Sequence, residues 1–216
     1  MPSLLVFDYD GVLVDSYNVF MPAFIDACKD AGYMLLAAEE EFVKLLDENL
    51  YQSMQAQGMT KDIILRIALK VKEHTLANQE QLQVFPGMQE AVRSLSATHH
   101  LAVVTSNETE VVHQSLVALN LDYFEKIIGS DLEPSKTKSL IHLKKDYEGL
   151  PAYYIGDTIG DVKEGKKADV HTVSVCWGWH GKRVADAMPD YVVTQPLELV
   201  SLFNDYPPTK LRDKHL

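Results

Sequence analysis

The sequence predicts an α/β fold in which a doubly wound parallel sheet carries an inserted helical cap. Three observations predict this fold: short apolar runs recur along the chain, segments of helical periodicity separate them, and the alternation breaks once. Uninterrupted apolar runs are typical of strands that are buried on both faces. Strands that alternate with helices are joined by right-handed crossovers, which build a parallel sheet with helices on both sides.

Six apolar runs are the predicted strands. The first covers residues 3–7 and ends in Asp-Tyr-Asp-Gly, and the others cover residues 101–104, 126–129, 153–156, 172–175 and 191–193. Apolar residues at helical spacing predict helices between them, over residues 87–98, 107–120 and 137–147.

The alternation breaks between residues 16 and 84, where helical periodicity continues with little strand signal. Apolar side chains recur there at helical spacing, at Phe20, Phe24, Cys28, Phe42, Leu45, Leu46, Ile63, Ile64, Ile67 and Val71. This stretch is too long for a loop, so we predict a helical cap domain over residues 16–84. The core domain is predicted to comprise residues 1–15 and 85–206, with a flexible tail over residues 207–216.

Composition and charge exclude several classes of protein. The 216 residues are 46% hydrophobic and 24% charged, as in soluble globular proteins, and the net charge of −11 argues against binding to nucleic acid or a membrane surface. No apolar run reaches the length of a membrane-spanning helix, and no signal peptide is recognised. Cys28 and Cys176 have no paired spacing, so we expect buried thiols in a reducing compartment and a cytoplasmic protein.

Polar side chains follow four of the predicted strands. Because ligands bind beyond the carboxyl ends of the strands in an open parallel sheet, these side chains are expected to share one pocket. They are carboxylates, a hydroxyl and amide cluster, and ammonium groups, at Asp8, Asp10, Thr105, Ser106, Asn107, Lys136, Lys138, Asp157 and Asp161.

The spacing of the carboxylates predicts a magnesium site. Asp8 and Asp10 are two residues apart, so an extended chain points both to the same side, and Gly11 allows a tight exit. Carboxylates this close repel one another without a cation, and Asp157 adds a third. Oxygen ligands of this kind suit Mg²⁺. The alternative is that each aspartate caps a turn, but the polar groups at the other strand ends disfavour it.

The remaining polar groups allow two interpretations each. Residues 105–107 suit a phosphate site at a strand-to-helix turn, or they cap the next helix. Lys136 is favoured over Lys138 as the site ammonium, although most surface lysines are only solvated. If a helix begins near Asp157, Asp161 lies on the same helix face as Asp157. Alternatively, Asp161 is an acidic side chain in the first turn that interacts favourably with the helix dipole. His180 follows the fifth strand, where a loop histidine is more often solvent-facing.

Four motifs in order resemble those of the haloacid dehalogenase-like hydrolases. Residues 7–16 resemble the first motif, residues 101–107 the second, Lys136 the third-motif lysine, and residues 156–161 the fourth. Phosphatases and phosphomutases of this family keep the second carboxylate, here Asp10, and the dehalogenase branch lacks it. The resemblance implies a Rossmann-like core with a small helical cap, similar to the sub-group that contains phosphoglycolate phosphatase.

The resemblance also implies a reaction and the roles of its residues. It implies a Mg²⁺-dependent phosphatase acting on a small phosphorylated metabolite, with Asp8 forming an aspartyl-phosphate and Asp10 acting as acid and base. Thr105 and Lys136 would hold the phosphoryl group. The implied metal set is Asp8, Asp10 through its backbone carbonyl, Asp157 and Asp161, and the substrate-binding set is Gly11, Ser106 and Asn107.

The sequence departs from the family in ways that leave alternatives open. The third motif usually reads Lys-Pro, and here it reads Lys136-Thr137 with Lys138 nearby, so either lysine could act. A phosphosugar mutase on the same core and a non-catalytic binding protein are the alternative functions. The physiological substrate and the oligomeric state are not predicted.

Overall fold

The computed structural model describes residues 1–204, so the predicted tail over residues 207–216 lies outside the described residues. The eight strands found in the described part are, in chain order, Leu4–Phe7 (β1), Val14–Asp15 (β2), Gln83–Val84 (β3), His100–Val104 (β4), Lys126–Ile128 (β5), Ala152–Gly156 (β6), His171–Val175 (β7) and Tyr191–Val193 (β8).

Helices occupy most of the remaining described chain. The α-helices are Tyr17–Asp30 (α1), Glu39–Leu45 (α2), Leu50–Ala56 (α3), Lys61–Ala77 (α4), Met88–Ser96 (α5), Thr109–Ala118 (α6), Lys136–Asp146 (α7), Ile159–Lys167 (α8) and Leu197–Asn204 (α9). Short 3-10 helices are formed by Met34–Ala37, Gln79–Gln81 and Gly181–Ala187.

Six strands form one parallel sheet in the order β5-β4-β1-β6-β7-β8. Strand β1 lies inside the sheet, and its Phe7 is in register with Val103 on one side and Ile155 on the other. The chain therefore winds outward from β1 in both directions, which confirms the predicted doubly wound α/β fold.

Side chains of β1 alternate between two hydrophobic layers. Leu5 and Phe7 pack in a cluster with apolar residues of α5, α6 and α9, whereas Leu4 and Val6 pack in a cluster with residues of α7. Both faces of the strand are buried, because a parallel strand with helices on both sides has no face left for water. This is the physical basis of the uninterrupted apolar run in the sequence.

The helices α1–α4 have a hydrophobic cluster of their own. Phe24, Cys28, Phe42, Ile67 and Val71 are buried in it, as expected from their helical spacing. We call residues 16–84 the insert.

The insert is entered through β2 and left through β3, two strands that the sequence did not reveal. They pair antiparallel, with Val14 opposite Val84 and Asp15 opposite Gln83. Each strand has only two residues, which is too short for a periodic signal. This two-stranded ribbon joins the two crossings between the sheet and the insert.

Two further sequence predictions concern the cysteines and the absence of membrane-spanning helices. Both cysteines are free, and Cys28 is buried, but Cys176 is only half-buried, in contrast to the expectation for that thiol. Among residues 1–204, no helix has the length and apolar character needed to span a bilayer.

Candidate active site

Acidic side chains from two separate chain segments meet at the carboxyl ends of the central strands. Asp8 follows β1, Asp157 follows β6, and Asp161 lies in the first turn of α8. One carboxylate oxygen of each lies within 4.8 Å of the others, and all three residues are buried. The predicted meeting of distant acidic residues in one place is therefore present in the fold.

The ammonium group of Lys136 lies between two of these carboxylates. Its Nζ donates to Asp8 Oδ2 at 2.7 Å and to Asp161 Oδ1 at 2.8 Å, and its side chain is only 10% exposed. Lys136 is the first residue of α7, one position earlier than the predicted helix start, and Ser135 caps that helix. Lys138 is exposed on α7, so the structure brings Lys136 and not Lys138 to the carboxylates.

Both carboxylate oxygens of Asp161 accept more than one hydrogen bond. Its Oδ1 also accepts a hydrogen bond from Tyr154 at 2.9 Å, and its Oδ2 accepts from the backbone N–H and the hydroxyl of Thr158. The Thr158 hydroxyl in turn caps α8, so that the two residues form a capping box. Asp161 therefore serves the helix terminus and at the same time fixes the position of Lys136.

Asp157 is enclosed by two glycines. A Cβ atom on Gly11 would lie 2.1 Å from Asp157 Oδ2, and one on Gly178 would lie 2.3 Å from Asp157 Cβ. Gly11 also has a φ of +70°, which favours glycine. The Trp179 backbone N–H donates to Asp157 Oδ2 at 2.6 Å. Gly11 thus makes the predicted tight exit and gives Asp157 room.

The carboxylate of Asp10 has partners of its own, apart from the three clustered carboxylates. Ser16 Oγ donates to Asp10 Oδ1 and Asn107 Nδ2 donates to Asp10 Oδ2, each at 2.5 Å. Asn107 Nδ2 also approaches Thr105 Oγ1 at 3.3 Å, and Thr105 is buried. The structure places Thr105 and Asn107 in one network with Asp10, whereas the side chain of Ser106 is exposed.

Burial of so much negative charge shifts the pKa values of the aspartates. Burial, countered in part by Lys136 and reinforced by Asp161, raises the pKa of Asp8 to about 8. Burial and the charges of Asp161 and Asp8 raise the pKa of Asp157 well above its usual range. Burial also raises the pKa of Asp10, although Ser16 and Asn107 oppose it.

Asp161 and Lys136 are shifted toward their charged forms. Burial alone would raise the pKa of Asp161. The charge of Lys136 and the hydrogen bonds that Asp161 accepts outweigh burial, so the pKa of Asp161 is lowered. Burial likewise disfavours the charged form of Lys136, yet Asp161 and Asp8 raise its pKa well above the usual value. One ammonium therefore faces three carboxylates, and the excess of hard oxygen ligands fits a divalent cation such as Mg²⁺.

Residues 5–175 match the family model of the haloacid dehalogenase-like hydrolases. The chain belongs to this family. A phosphoglycolate phosphatase of Nitrosococcus oceani is 30% identical over 222 residues, covering 94% of this chain and 97% of the relative. A pyrophosphatase of Listeria innocua, PpaX, is 22% identical, covering 93% of this chain and 96% of the relative.

A solved hydrolase from Pseudomonas syringae has the same fold. It superposes with a TM-score of 0.80 at 21% identity, covering 97% of this chain and all of the other. Together, the family match and the curated relatives make this chain a hydrolase of the phosphatase type. The resemblance inferred from the four motifs is thereby confirmed.

A histidine of the hydrolase joins the insert to the site, which the sequence did not predict. His180 Nδ1 accepts a hydrogen bond from the Ile159 backbone N–H at 3.0 Å, and Nε2 donates to the Val43 carbonyl at 2.9 Å. The His180 side chain is fully buried, so the expectation of a solvent-facing loop histidine is wrong. Loop burial of this kind leaves no periodic signal in a sequence.

Residues 43–49 of the insert rest on the core through several polar contacts. Arg183 donates to both carboxylate oxygens of Asp47, at 2.7 and 2.5 Å, and Asn49 donates to Glu164 at 3.1 Å. The Gly160 backbone N–H donates to the Leu46 carbonyl at 2.9 Å. The insert is thus closed against the helix that carries Asp161.

A narrow gap, with room for about one water molecule, lies between the insert and the core beside Asp10. The core contributes Asp10, Asn107 and Val111 to its wall, and the insert contributes Phe20, Thr75 and Gln79, among others. The insert therefore packs closely over the side chain of Asp10 in this structure.

Proposed function

We propose that this hydrolase is a Mg²⁺-dependent phosphatase that hydrolyses a small phosphomonoester through an aspartyl-phosphate on Asp8. The observation that supports it best is the buried Asp8 carboxylate 2.7 Å from the Lys136 ammonium, beside Asp157. We further propose that residues 16–84 act as a cap domain over a core of residues 1–15 and 85–206.

The residues that would hold Mg²⁺ are the Asp8 and Asp157 carboxylates and the backbone carbonyl of Asp10. Asp161 would support the ion indirectly, since its oxygens already accept hydrogen bonds from Lys136, Tyr154 and Thr158. When bound, the ion supplies positive charge to the phosphoryl oxygens. The raised pKa values of Asp8 and Asp157 support this assignment, because burial without a cation costs free energy for both carboxylates.

In the first step, an Asp8 carboxylate oxygen attacks phosphorus and the bond from phosphorus to the alcohol oxygen breaks. Asp10 donates its proton to the departing alkoxide, so an alcohol leaves. The raised pKa of Asp10, which follows from its burial, favours the protonated form that this step requires.

In the second step, Asp10 as a carboxylate takes a proton from water while the water oxygen attacks phosphorus. The Asp8–phosphorus bond breaks, phosphate leaves, and Asp10 is protonated again. Lys136 neutralises charge on the phosphoryl group and on Asp8. Asn107 keeps Asp10 in place for both steps through its hydrogen bond.

The test compares four proteins in a phosphate-release assay with Mg²⁺. Asp8→Asn is expected to lose about a thousandfold or more in turnover. Lys136→Met is expected to lose about a hundredfold, whereas the matched control Lys138→Met keeps wild-type turnover because that side chain is exposed. EDTA should stop the wild-type reaction and added Mg²⁺ should restore it. Activity of Asp8→Asn above a few per cent of wild type would contradict the nucleophile assignment.

Neither alternative function gains support from the relatives. The two curated relatives described above carry hydrolase names, and Asp8, Asp10 and Asp157 are all present, which disfavours a non-catalytic role. A phosphosugar mutase would isomerise a sugar phosphate and release little phosphate, so the same assay separates it from a phosphatase.

A further inference from the structure

We propose that Trp179 is a positioning residue that couples cation binding at Asp157 to docking of the insert on the core. Its backbone holds the carboxylate of Asp157, and its side chain lies among aromatic rings of the insert. Each of the two events should therefore favour the other. The inference rests on the proposed function, because Mg²⁺ at Asp157 is part of that function.

The backbone of the loop after β7 lies directly against Asp157. The Trp179 N–H donates to Asp157 Oδ2 at 2.6 Å. Gly178, one residue earlier, packs so closely that a Cβ atom there would lie 2.3 Å from Asp157 Cβ and 2.3 Å from the Gly11 carbonyl oxygen. Because the loop has no free space on this side, a displacement of Trp179 changes the position or the hydrogen bonding of the Asp157 carboxylate.

The side chain of Trp179 packs with the insert, although its backbone belongs to the core. The centroid of its ring lies 5.7 Å from that of Tyr17, 5.2 Å from that of Phe20 and 5.7 Å from that of Phe42. Of the described residues that pack against the insert's own hydrophobic cluster, Trp179 alone lies outside residues 16–84. Such ring pairs contribute on the order of 1 kcal/mol each beyond the area that they bury, so the location of the ring depends on the insert.

No hydrogen bond of its own fixes the indole ring of Trp179. Its Nε1 is buried and has no hydrogen-bond partner in the described part of the chain, which costs free energy that the ring contacts must offset. Trp177 differs in this respect, since its Nε1 donates to the Val12 carbonyl of the core at 3.1 Å. Trp177 is thus anchored to the core, whereas the ring of Trp179 is held by the insert.

The next residue connects the same two parts of the molecule by hydrogen bonds. His180 Nε2 donates to the Val43 carbonyl of the insert, and Nδ1 accepts from the backbone N–H of Ile159, two residues after Asp157. Trp179 and His180 therefore join the insert to Asp157 and to the start of α8. By thermodynamic linkage, a cation that fixes Asp157 stabilises the docked insert, and docking raises the affinity for the cation to the same extent.

Calorimetric titration with Mg²⁺ tests the coupling without relying on turnover. Trp179→Leu keeps the backbone N–H but removes the ring contacts, so we expect the Kd for Mg²⁺ to rise about tenfold. Trp179→Phe keeps an aromatic ring, and its Kd should stay within about threefold of wild type. Phe42→Leu, in the insert, should raise the Kd about threefold in the wild-type background but not in the Trp179→Leu background.

The matched control is Phe24→Leu. Phe24 is buried in the same cluster as Phe42 and packs on Phe20 and Phe42, one ring away from Trp179. The control should lower the free energy of unfolding about as much as Phe42→Leu, yet keep the wild-type Kd for Mg²⁺. Equal Mg²⁺ affinity of Trp179→Leu and wild type, or an equal loss of affinity in Phe24→Leu, would overturn the proposal.

Acrylamide quenching of fluorescence measures docking of the insert, and it covers the case in which Trp179→Leu fails to fold. The chain has only two tryptophans, so Trp177→Phe makes Trp179 the single emitter. Mg²⁺ should lower the quenching constant about twofold, because a docked insert shields the ring from acrylamide. An unchanged quenching constant at saturating Mg²⁺ would overturn the coupling.

The outcomes separate this proposal from the proposed function. If Mg²⁺ binds with the expected loss in Trp179→Leu but wild type releases no phosphate from the esters tested, the phosphatase mechanism fails and the coupling stands. If phosphate is released and Mg²⁺ binds equally to wild type and Trp179→Leu, the coupling fails and the phosphatase mechanism stands. Absence of Mg²⁺ binding to wild type would overturn both.

Discussion

Removal of divalent cations should make the stability of this protein depend steeply on pH. The perturbation is EDTA combined with an increase in pH from 5 to 8.5. In the folded chain without metal, burial raises the pKa of Asp8 from 3.8 to about 8. The folded state therefore holds a proton on Asp8 throughout most of this range, while the unfolded state has released it.

The sign and size of the effect follow from this difference in bound protons. Because the folded state binds more protons, the free energy of unfolding falls as the pH rises, by about 1.4 kcal/mol per pH unit for one group. Stability from this group is complete below pH 4 and is lost as the pH rises through about 8. Between pH 5 and about 8, roughly three pH units, the loss is on the order of 4 kcal/mol, a large part of the stability of an ordinary domain. Asp157, whose pKa is also raised by burial, adds to the slope.

The assay is urea unfolding in EDTA at a series of pH values, repeated with saturating Mg²⁺. Under the proposed function, Mg²⁺ binding to the charged carboxylates of the folded state should restore stability above pH 7. Asp8→Asn has no carboxyl group to titrate at this position, so its free energy of unfolding should fall with pH less steeply than that of wild type, by about 1.4 kcal/mol per pH unit or more. The control Asp26→Asn lies at an exposed position on α1 and should keep the wild-type pH dependence. An equal pH dependence of the free energy of unfolding in wild type and Asp8→Asn, both in EDTA, would refute the reasoning.

Three further predictions concern single side chains. Asp10→Asn should slow phosphate release from 2-hydroxyethyl phosphate by about a hundredfold or more, yet keep the single-turnover burst of nitrophenol from p-nitrophenyl phosphate, whose leaving group needs no proton; loss of both would contradict the acid role. Gly178→Ala should lower the free energy of unfolding by about 1–3 kcal/mol and weaken Mg²⁺ binding, measured by urea unfolding and calorimetry, since its Cβ would lie 2.3 Å from that of Asp157. Tyr9→Phe should cost about 1 kcal/mol in urea unfolding, because it leaves the buried Ser115 hydroxyl without its partner at 2.6 Å; an unchanged midpoint would contradict this.

Much of the core could be predicted because its signals are local. The apolar run of β1 is uninterrupted since both faces of that strand are buried, and Asp8 follows the run directly. The same holds for β6 and Asp157. Where a strand ends in a carboxylate, the position of that carboxylate follows from the topology of a parallel sheet, without knowledge of any other contact.

The parts that could not be predicted depend on contacts between distant segments. The burial of His180 requires the Val43 carbonyl of the insert, 137 residues away. The choice between Lys136 and Lys138 depends on the residue at which α7 begins, and helix boundaries are uncertain by more than one position in any sequence analysis. Ser106 is exposed although its neighbours Thr105 and Asn107 join the site network, because the turn there points adjacent side chains apart.

The β2–β3 ribbon also determines where the insert touches Asp10. Ser16 directly follows β2, at the start of the insert, and its hydroxyl donates to Asp10. Asp10 is therefore bonded from both parts of the molecule, by Ser16 of the insert and by Asn107 of the core. A substitution that shifts the start of the insert is expected to displace the Asp10 carboxylate as well, although every other partner of that carboxylate belongs to the core.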